Sequence, residues 1–331
     1  MYQHKLTSYI RLALLCINMN LTDKKILLTG GAGFIGLHIA QRLLALGAEV
    51  CILDNLSSGS KEKVEQLVAK YATCKFVVAD ICNVATCLLL TKNMDIVIHH
   101  AAIASVQKGE TQPDVLNRVN VIGTYNVFYA AVHNNVAKVI YASSAAVYGD
   151  STTLLKSEVQ VPTPSSLYGL SKFINEQQAN LLATKSATQF IGLRYFNVYG
   201  PGQNPSSDYS GVISIFIHNA SQEAPITIFG DGNATRDFIY IDDIVDANLK
   251  AIDYNQQGAA QFNIASGKSN SVQELARQIV IHYKQVPVKF EAARIGDILH
   301  SQADCTLATT KLQFSANTNL AEGLNKLMSS Y

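Results

Sequence analysis

The chain has 331 residues, of which 48% are hydrophobic and 15% charged; this is the composition of a folded globular protein of about two domains, or one large one, and not of a disordered chain. Its 26 basic and 25 acidic residues leave a formal charge of +1, so there is no basic field for non-specific nucleic-acid binding and no acidic tail. The six cysteines include no C-x-x-C pair, which argues against a structural zinc site or a disulfide framework and for a reduced, cytoplasmic protein without a metal.

Residues 1–22 read as an N-terminal extension. Its apolar run from Ile10 to Ile17 is broken by Arg11 and falls short of the roughly 20 residues a membrane span needs. Asn18-Met19-Asn20-Leu21 offers no small-x-small cleavage site. Two readings stay open: translation beginning at Met19, or a short helix packed on the surface.

Beyond it, strand-like and helix-like segments alternate. The run from Lys25 to Thr29 reads as a buried strand, Phe34 to Leu46 as a helix and Glu49 to Leu53 as a second strand. Further short apolar strands are expected at Phe76–Ala79, Ile96–Ile98 and Val139–Ala142, each followed by a helical pattern. Short continuous apolar strands alternating with helices predict a doubly wound α/β fold, its parallel sheet covered on both faces. Residues 23–199 form mainly this layer. From residue 200 the turn signals Gly200-Pro201-Gly202, Gly230-Asp231-Gly232 and Ser266-Gly267-Lys268 mark a smaller α/β region, 200–331, with some chain crossing back and a cleft shared between the two.

Thr29-Gly30-Gly31-Ala32-Gly33-Phe34-Ile35-Gly36 closes the first strand and opens the first helix. The spacing satisfies G-x-G-x-x-G, in which glycines permit the tight turn, let a pyrophosphate approach the backbone and bring the helix close to the strand. The helix N-terminus then offers free N–H groups to the phosphates. Asp54, at the end of the second strand and 18 residues after Gly36, would accept from both adenosine ribose hydroxyls and repel a 2′-phosphate. NAD is therefore expected rather than NADP. Asp80 could contact adenine or simply cap the next helix.

Tyr168 and Lys172 stand at i and i+4, on one face of a helix. A phenol with a pKa near 10 is a poor base at neutral pH; a neighbouring ammonium and the positive nicotinamide ring would stabilise its phenolate, which could then take a substrate hydroxyl proton as hydride leaves carbon. Ser144 follows the fifth strand, where an open sheet binds ligands. There a serine can relay that proton or merely cap a turn. His99-His100 reads as structural.

Together with His100-Ala101-Ala102, Asn120-Val121-Ile122-Gly123-Thr124, Arg194-Tyr195-Phe196-Asn197 and Arg236-Asp237-Phe238, these motifs resemble the extended short-chain dehydrogenase/reductase family. More narrowly, they look like its UDP-glucose and UDP-N-acetylglucosamine 4-epimerases, from about residue 23 to the C-terminus. The resemblance implies a catalytic set of Ser144, Tyr168 and Lys172. It implies an NAD site of Gly30, Gly33, Phe34, Ile35, Gly36, Asp54, Asn55, Ser58, Gly59, Asp80, Ile81, Ala101, Ala102, Asn120 and Tyr195, together with Tyr168 and Lys172. For a UDP-sugar it implies Ser105, Ser144, Asn197, Val212, Arg236, Arg294, Asp297 and Ser301. Guanidinium groups suit the pyrophosphate, although Arg236 could instead pair with Asp237 or Asp242. Where related dehydratases and decarboxylases carry an acid beside the catalytic hydroxyl, this chain has Ala145 and Ala146, which favours epimerisation. Ser301 occupies a position where a small residue leaves room for an N-acetyl group. In this family, helices such as Thr124–His133 and Phe173–Leu182 build a homodimer; here they could equally be internal. The chain departs from the family at Ala142, where the first of three consecutive Ser/Thr is usual. Competing readings are a dehydratase, reductase or other epimerase of the same family, and a non-catalytic NAD-sensing regulator on the same fold.

Overall fold

The computed structural model describes residues 19–205, 211–283, 286–293 and 299–331; the apolar run of the N-terminal extension lies outside them. Seven strands make the main sheet: β1 Lys25–Thr29, β2 Glu49–Asp54, β3 Cys74–Val78, β4 Ile96–His99, β5 Lys138–Ser144, β7 Gln189–Tyr195 and β11 Ala259–Ile264. The order across it is β11-β7-β5-β4-β1-β2-β3, and every pairing is parallel. All residues of β4 and β7 are buried, as the continuous apolar runs require when helices cover both faces. The strands at 76–79 and 139–142 start earlier than expected, and β5 runs on to Ser144.

The helices, in chain order, are α1 Phe34–Ala45, α2 Lys61–Lys70, α3 Val84–Leu90, α4 Val106–Thr111, α5 Pro113–Leu116, α6 Thr124–His133, α7 Leu167–Ala183, α8 Val212–Ser221, α9 Ile241–Asp253, α10 Val272–Tyr283 and α11 Leu320–Met328. A π-helical turn, Asn117–Gly123, joins α5 to α6. Its opened carbonyls are taken up by α7: Asn175 donates to Asn120 O at 2.7 Å and Gln178 to Val121 O at 3.3 Å.

β1 lies between β2 and β4, so the chain winds first to one side of it and then to the other. The crevice at the carboxyl ends of β1 and β4 is the topological switch point, where sheets of this kind bind ligands. A second layer forms over it from β8 Asn197–Tyr199, β10 Thr235–Tyr240 and β12 Ser269–Ser271. Two smaller pairs, β6 Leu155–Lys156 with β14 Gln302–Ala303 and β9 Ile226–Phe229 with β13 Val288–Glu291, complete this half. Between β10 and β12 the chain returns through β11, which joins the main sheet beside β7. No helix among the described residues is long and apolar enough to cross a membrane.

Candidate active site

The glycine turn occupies the switch point. Gly30 has a φ of +70°, and a Cβ there would lie 2.5 Å from Ala101 N; one at Gly36 would lie 2.2 Å from Gly30 O. Neither position admits a side chain, and this crowding brings the start of α1 down onto β1. Gly33 caps α1 without a side-chain hydrogen bond, and the first turn holds no acid. The positive end of the helix therefore faces the cleft uncompensated. Asp54, 9% exposed, accepts from Ala32 N at 3.0 Å and Leu56 N at 2.8 Å, so its carboxylate is fixed beside the turn. These features fit a dinucleotide.

The expected cap role of Asp80 falls instead to Asn83, which accepts from Ala85 N and Thr86 N at the start of α3. Asp80 grips Cys82 N at 2.8 Å and Asn55 Nδ2 at 3.0 Å. Burial works to raise its pKa, but these hydrogen bonds and Arg118 outweigh it and hold the carboxyl below its usual range.

Three contacts dock α7 on the end of β5. Lys172 donates to Ala142 O at 2.9 Å. Ser143 donates to Glu176 at 2.6 Å. Gly169 lies so close to the turn after Ser144 that a Cβ would meet Ala146 O at 2.4 Å. Ser144 fills the capping role foreseen for it: its Oγ accepts from Ala146 N at 3.1 Å at the turn Ala145–Tyr148. It lines the same cleft as Tyr168. Burial raises the Tyr168 pKa and the Ser144 hydroxyl opposes that rise. The expected depression by Lys172 is not seen in the protein alone: the ammonium lies 5.9 Å from the Tyr168 ring centroid and is itself pushed down to about 8 by burial.

A cleft of about 770 Å³ opens over this set, within the range of small-molecule sites. Gly30, Gly33, Phe34, Ile35, Gly36, Ser58, Gly59, Ala102, Ser144, Tyr168, Lys172, Tyr195, Asn197, Val212 and Arg236 line it, as the sequence suggested. The described lining carries three basic side chains, Lys63, Lys172 and Arg236, and no carboxylate. His100 also faces it, stacked on Tyr195 with centroids 5.7 Å apart; burial pushes its pKa down to about 4, so it is neutral. His99 sits behind, between Thr29 at 2.6 Å and Thr124 at 2.9 Å. No group of three or more metal-ligating side chains occurs among the described residues.

Other residues named from the sequence lie off the described lining. Asn120 is fully buried and holds Ile103 by both its backbone N–H (2.8 Å) and carbonyl (2.9 Å). Ala101 N reaches Thr29 Oγ1 at 3.3 Å, and Ile81 is buried against Gly123. Ser105 caps α4, accepting from Lys108 N at 3.0 Å. Ser301 N donates to Thr235 O at 3.1 Å, next to Arg236. Arg294 and Asp297 lie outside the described residues. Asp237 uses both oxygens on Ser266, Gly267 and Ala303. Sequence reasoning missed Lys63: an exposed lysine in the first turn of α2 has no local signal, and only the fold turns it toward Gly202 across the cleft.

The model of the NAD dependent epimerase/dehydratase family matches residues 26–265. A putative UDP-glucose 4-epimerase of Methanocaldococcus jannaschii is 36% identical over 309 residues, covering 92% of this chain and 97% of the relative. The UDP-N-acetylglucosamine 4-epimerase from Methanobrevibacter ruminantium M1, solved in complex with UDP-N-acetylmuramic acid, superposes with a TM-score of 0.88 at 33% identity, over 93% of this chain and 98% of that one. The UDP-glucose 4-epimerase of Thermotoga maritima with UDP-glucose gives 0.86 at 32% identity, over 92% and 97%.

Proposed function

The chain belongs to the NAD dependent epimerase/dehydratase family, and from that premise we propose that it is a UDP-sugar 4-epimerase, inverting C4 through a transient 4-keto sugar. The observation that carries this reading is the Ser144, Tyr168 and Lys172 set in a cleft whose described lining has three cations and no carboxylate. Two diphosphates suit those cations. Elimination or decarboxylation would call for an acid beside Ser144, and Ala145 and Ala146 stand there.

NAD, when bound, supplies the acceptor and donor for the C4 hydrogen and a positive ring that favours the phenolate. Tyr168 takes the C4 hydroxyl proton directly or through Ser144, and later returns it. Lys172, anchored on Ala142, keeps a positive charge beside the phenol. Arg236, with Asn197 fixed on Asp237 O at 2.9 Å, holds the nucleotide while the keto sugar turns to present its other face. We take UDP-N-acetylglucosamine and UDP-N-acetylgalactosamine as substrates from the small residue at Ser301 in the sequence, with UDP-glucose and UDP-galactose as further substrates.

The protein acts as a homodimer in this reading. The adjacent helices α6 and α7 expose Tyr125, Tyr129, Leu170 and Leu181, a set that a partner copy would cover. A cytoplasmic location agrees with Cys51, Cys74, Cys82, Cys87 and Cys305 all being free thiols.

The test is incubation of purified protein with UDP-glucose or UDP-N-acetylglucosamine, without added NAD, and chromatography of the sugars. Formation of the galacto isomers is expected. No change in either sugar, even with NAD supplied, overturns the 4-epimerase reading for these substrates; dehydrated or decarboxylated products would place the chain elsewhere in the family.

A further inference from the structure

A buried polar network lies beneath the reacting groups, and the ion pair at its centre belongs neither to the cofactor site nor to the substrate site. Glu176, on α7, is 1% exposed and Arg194, on β7, 3%. They pair in two parallel bonds, Arg194 Nε to Oε1 at 2.8 Å and Nη2 to Oε2 at 2.7 Å. Ser143 Oγ donates a third bond to Oε1 at 2.6 Å. Arg194 Nη1 donates to Tyr148 Oη at 2.9 Å, and Tyr148 donates to Asn263 Oδ1 at 2.7 Å. Neither Glu176 nor Arg194 lines the cleft, whereas Ser143 reaches its wall.

Three secondary-structure elements meet at this pair. Glu176 lies one helical turn beyond Lys172 and two beyond Tyr168. Ser143 immediately precedes Ser144 at the end of β5. Arg194 belongs to the next strand, β7, which pairs with β5 in register Ser143↔Arg194. Tyr168 stands on this helix and Ser144 on this strand, so their separation depends on how α7 sits on β5. A bidentate guanidinium–carboxylate pair is directional and resists sliding. An ion pair this deep is poor value as a source of stability compared with apolar packing, and its better-attested use is to fix register.

We propose that Ser143, Glu176 and Arg194 are positioning residues that fix how α7 sits on β5, and so set the placement of Tyr168 against Ser144 and with it the rate of proton transfer. The inference rests on the epimerase reading. Displacing a reacting group by about 1 Å costs on the order of 100-fold in rate, so loosening one of three bonds to Glu176 should cost about tenfold.

Ser143→Ala removes one bond and leaves the ion pair whole. Its kcat for UDP-sugar epimerisation should fall about tenfold, with KM within about twofold of wild type and NAD still retained on purification. Because Ser144 opposes the rise that burial gives the Tyr168 pKa, moving the phenol away from it should also move the rising limb of the kcat–pH profile to higher pH. Ser143→Thr, which keeps the hydroxyl, should recover most of the rate. Glu176→Gln should reproduce the split between kcat and KM; if that variant does not fold, Tyr148→Phe tests the far side of Arg194.

Unchanged kcat and pH profile in Ser143→Ala overturn the proposal, as does a kcat loss that matches a loss of folded protein by circular dichroism. Loss of NAD from Ser143→Ala alone, with Glu176→Gln fully active, overturns it in favour of a direct contact to the cofactor. An inactive wild-type protein would instead mark failure of the epimerase reading itself.

Discussion

Lys172 donates its ammonium to the carbonyl oxygen of Ala142 at 2.9 Å, tying the catalytic helix to the strand that delivers Ser144. Burial pushes this lysine down to about 8, against about 10.4 in an unfolded chain. Between those values the unfolded chain binds more protons than the folded one, so stability rises with pH across that window and is lowest below pH 8. Lys172→Met should show no such rise. Melting temperatures of the two proteins, followed from pH 7 to pH 10, should converge at the alkaline end. The variant should also lose about 100-fold or more in kcat, since the phenol loses its neighbouring charge.

Tyr168→Phe removes the phenol that, in the proposed function, accepts the hydroxyl proton. Turnover should fall by about 10³, within the range general acid–base catalysis supplies. The variant should still bind UDP-sugar with near wild-type affinity in a calorimetric titration, because Asn197 and Arg236 are untouched. Near-normal turnover would remove Tyr168 from the mechanism.

Gly36→Ala places a methyl group 2.2 Å from Gly30 O, a backbone atom with no room to retreat. The turn must open, lifting the N-terminus of α1 away from the phosphates. Purified Gly36→Ala protein should carry little NAD by absorbance after acid release, and should melt lower than wild type.

The features readable in the sequence were those written in one continuous stretch. The apolar runs of β1, β4 and β5, the Gly30–Gly36 turn and the Tyr168–Lys172 spacing each carry their meaning locally, and the fold placed them together. Cap assignment was less secure: Asp80 and Asn83 both suit a helix N-terminus, and geometry decided for Asn83. Ser105, a substrate contact by resemblance, caps α4 in the fold, and one hydroxyl can serve either purpose. The Glu176–Arg194 pair left no local trace. Its partners come from a helix and a strand, and only the register Ser143↔Arg194 brings the third member beside them. Lys63 was hidden for the same reason, its role depending on where the Gly200–Gly202 loop crosses.

The return of β11 to the main sheet sets the order in which the protein can mature during synthesis. When β7 has emerged, the sheet still ends in an open edge whose backbone groups await Ala259–Ile264, and Tyr148 still lacks Asn263. A nascent chain therefore spends the time needed to add some 60 further residues with a buried-type strand exposed, the condition under which edges recruit other chains. Cutting the protein near residue 200 would leave that edge permanently open, so the cofactor half should aggregate when produced alone and recover when the remaining half is supplied in trans.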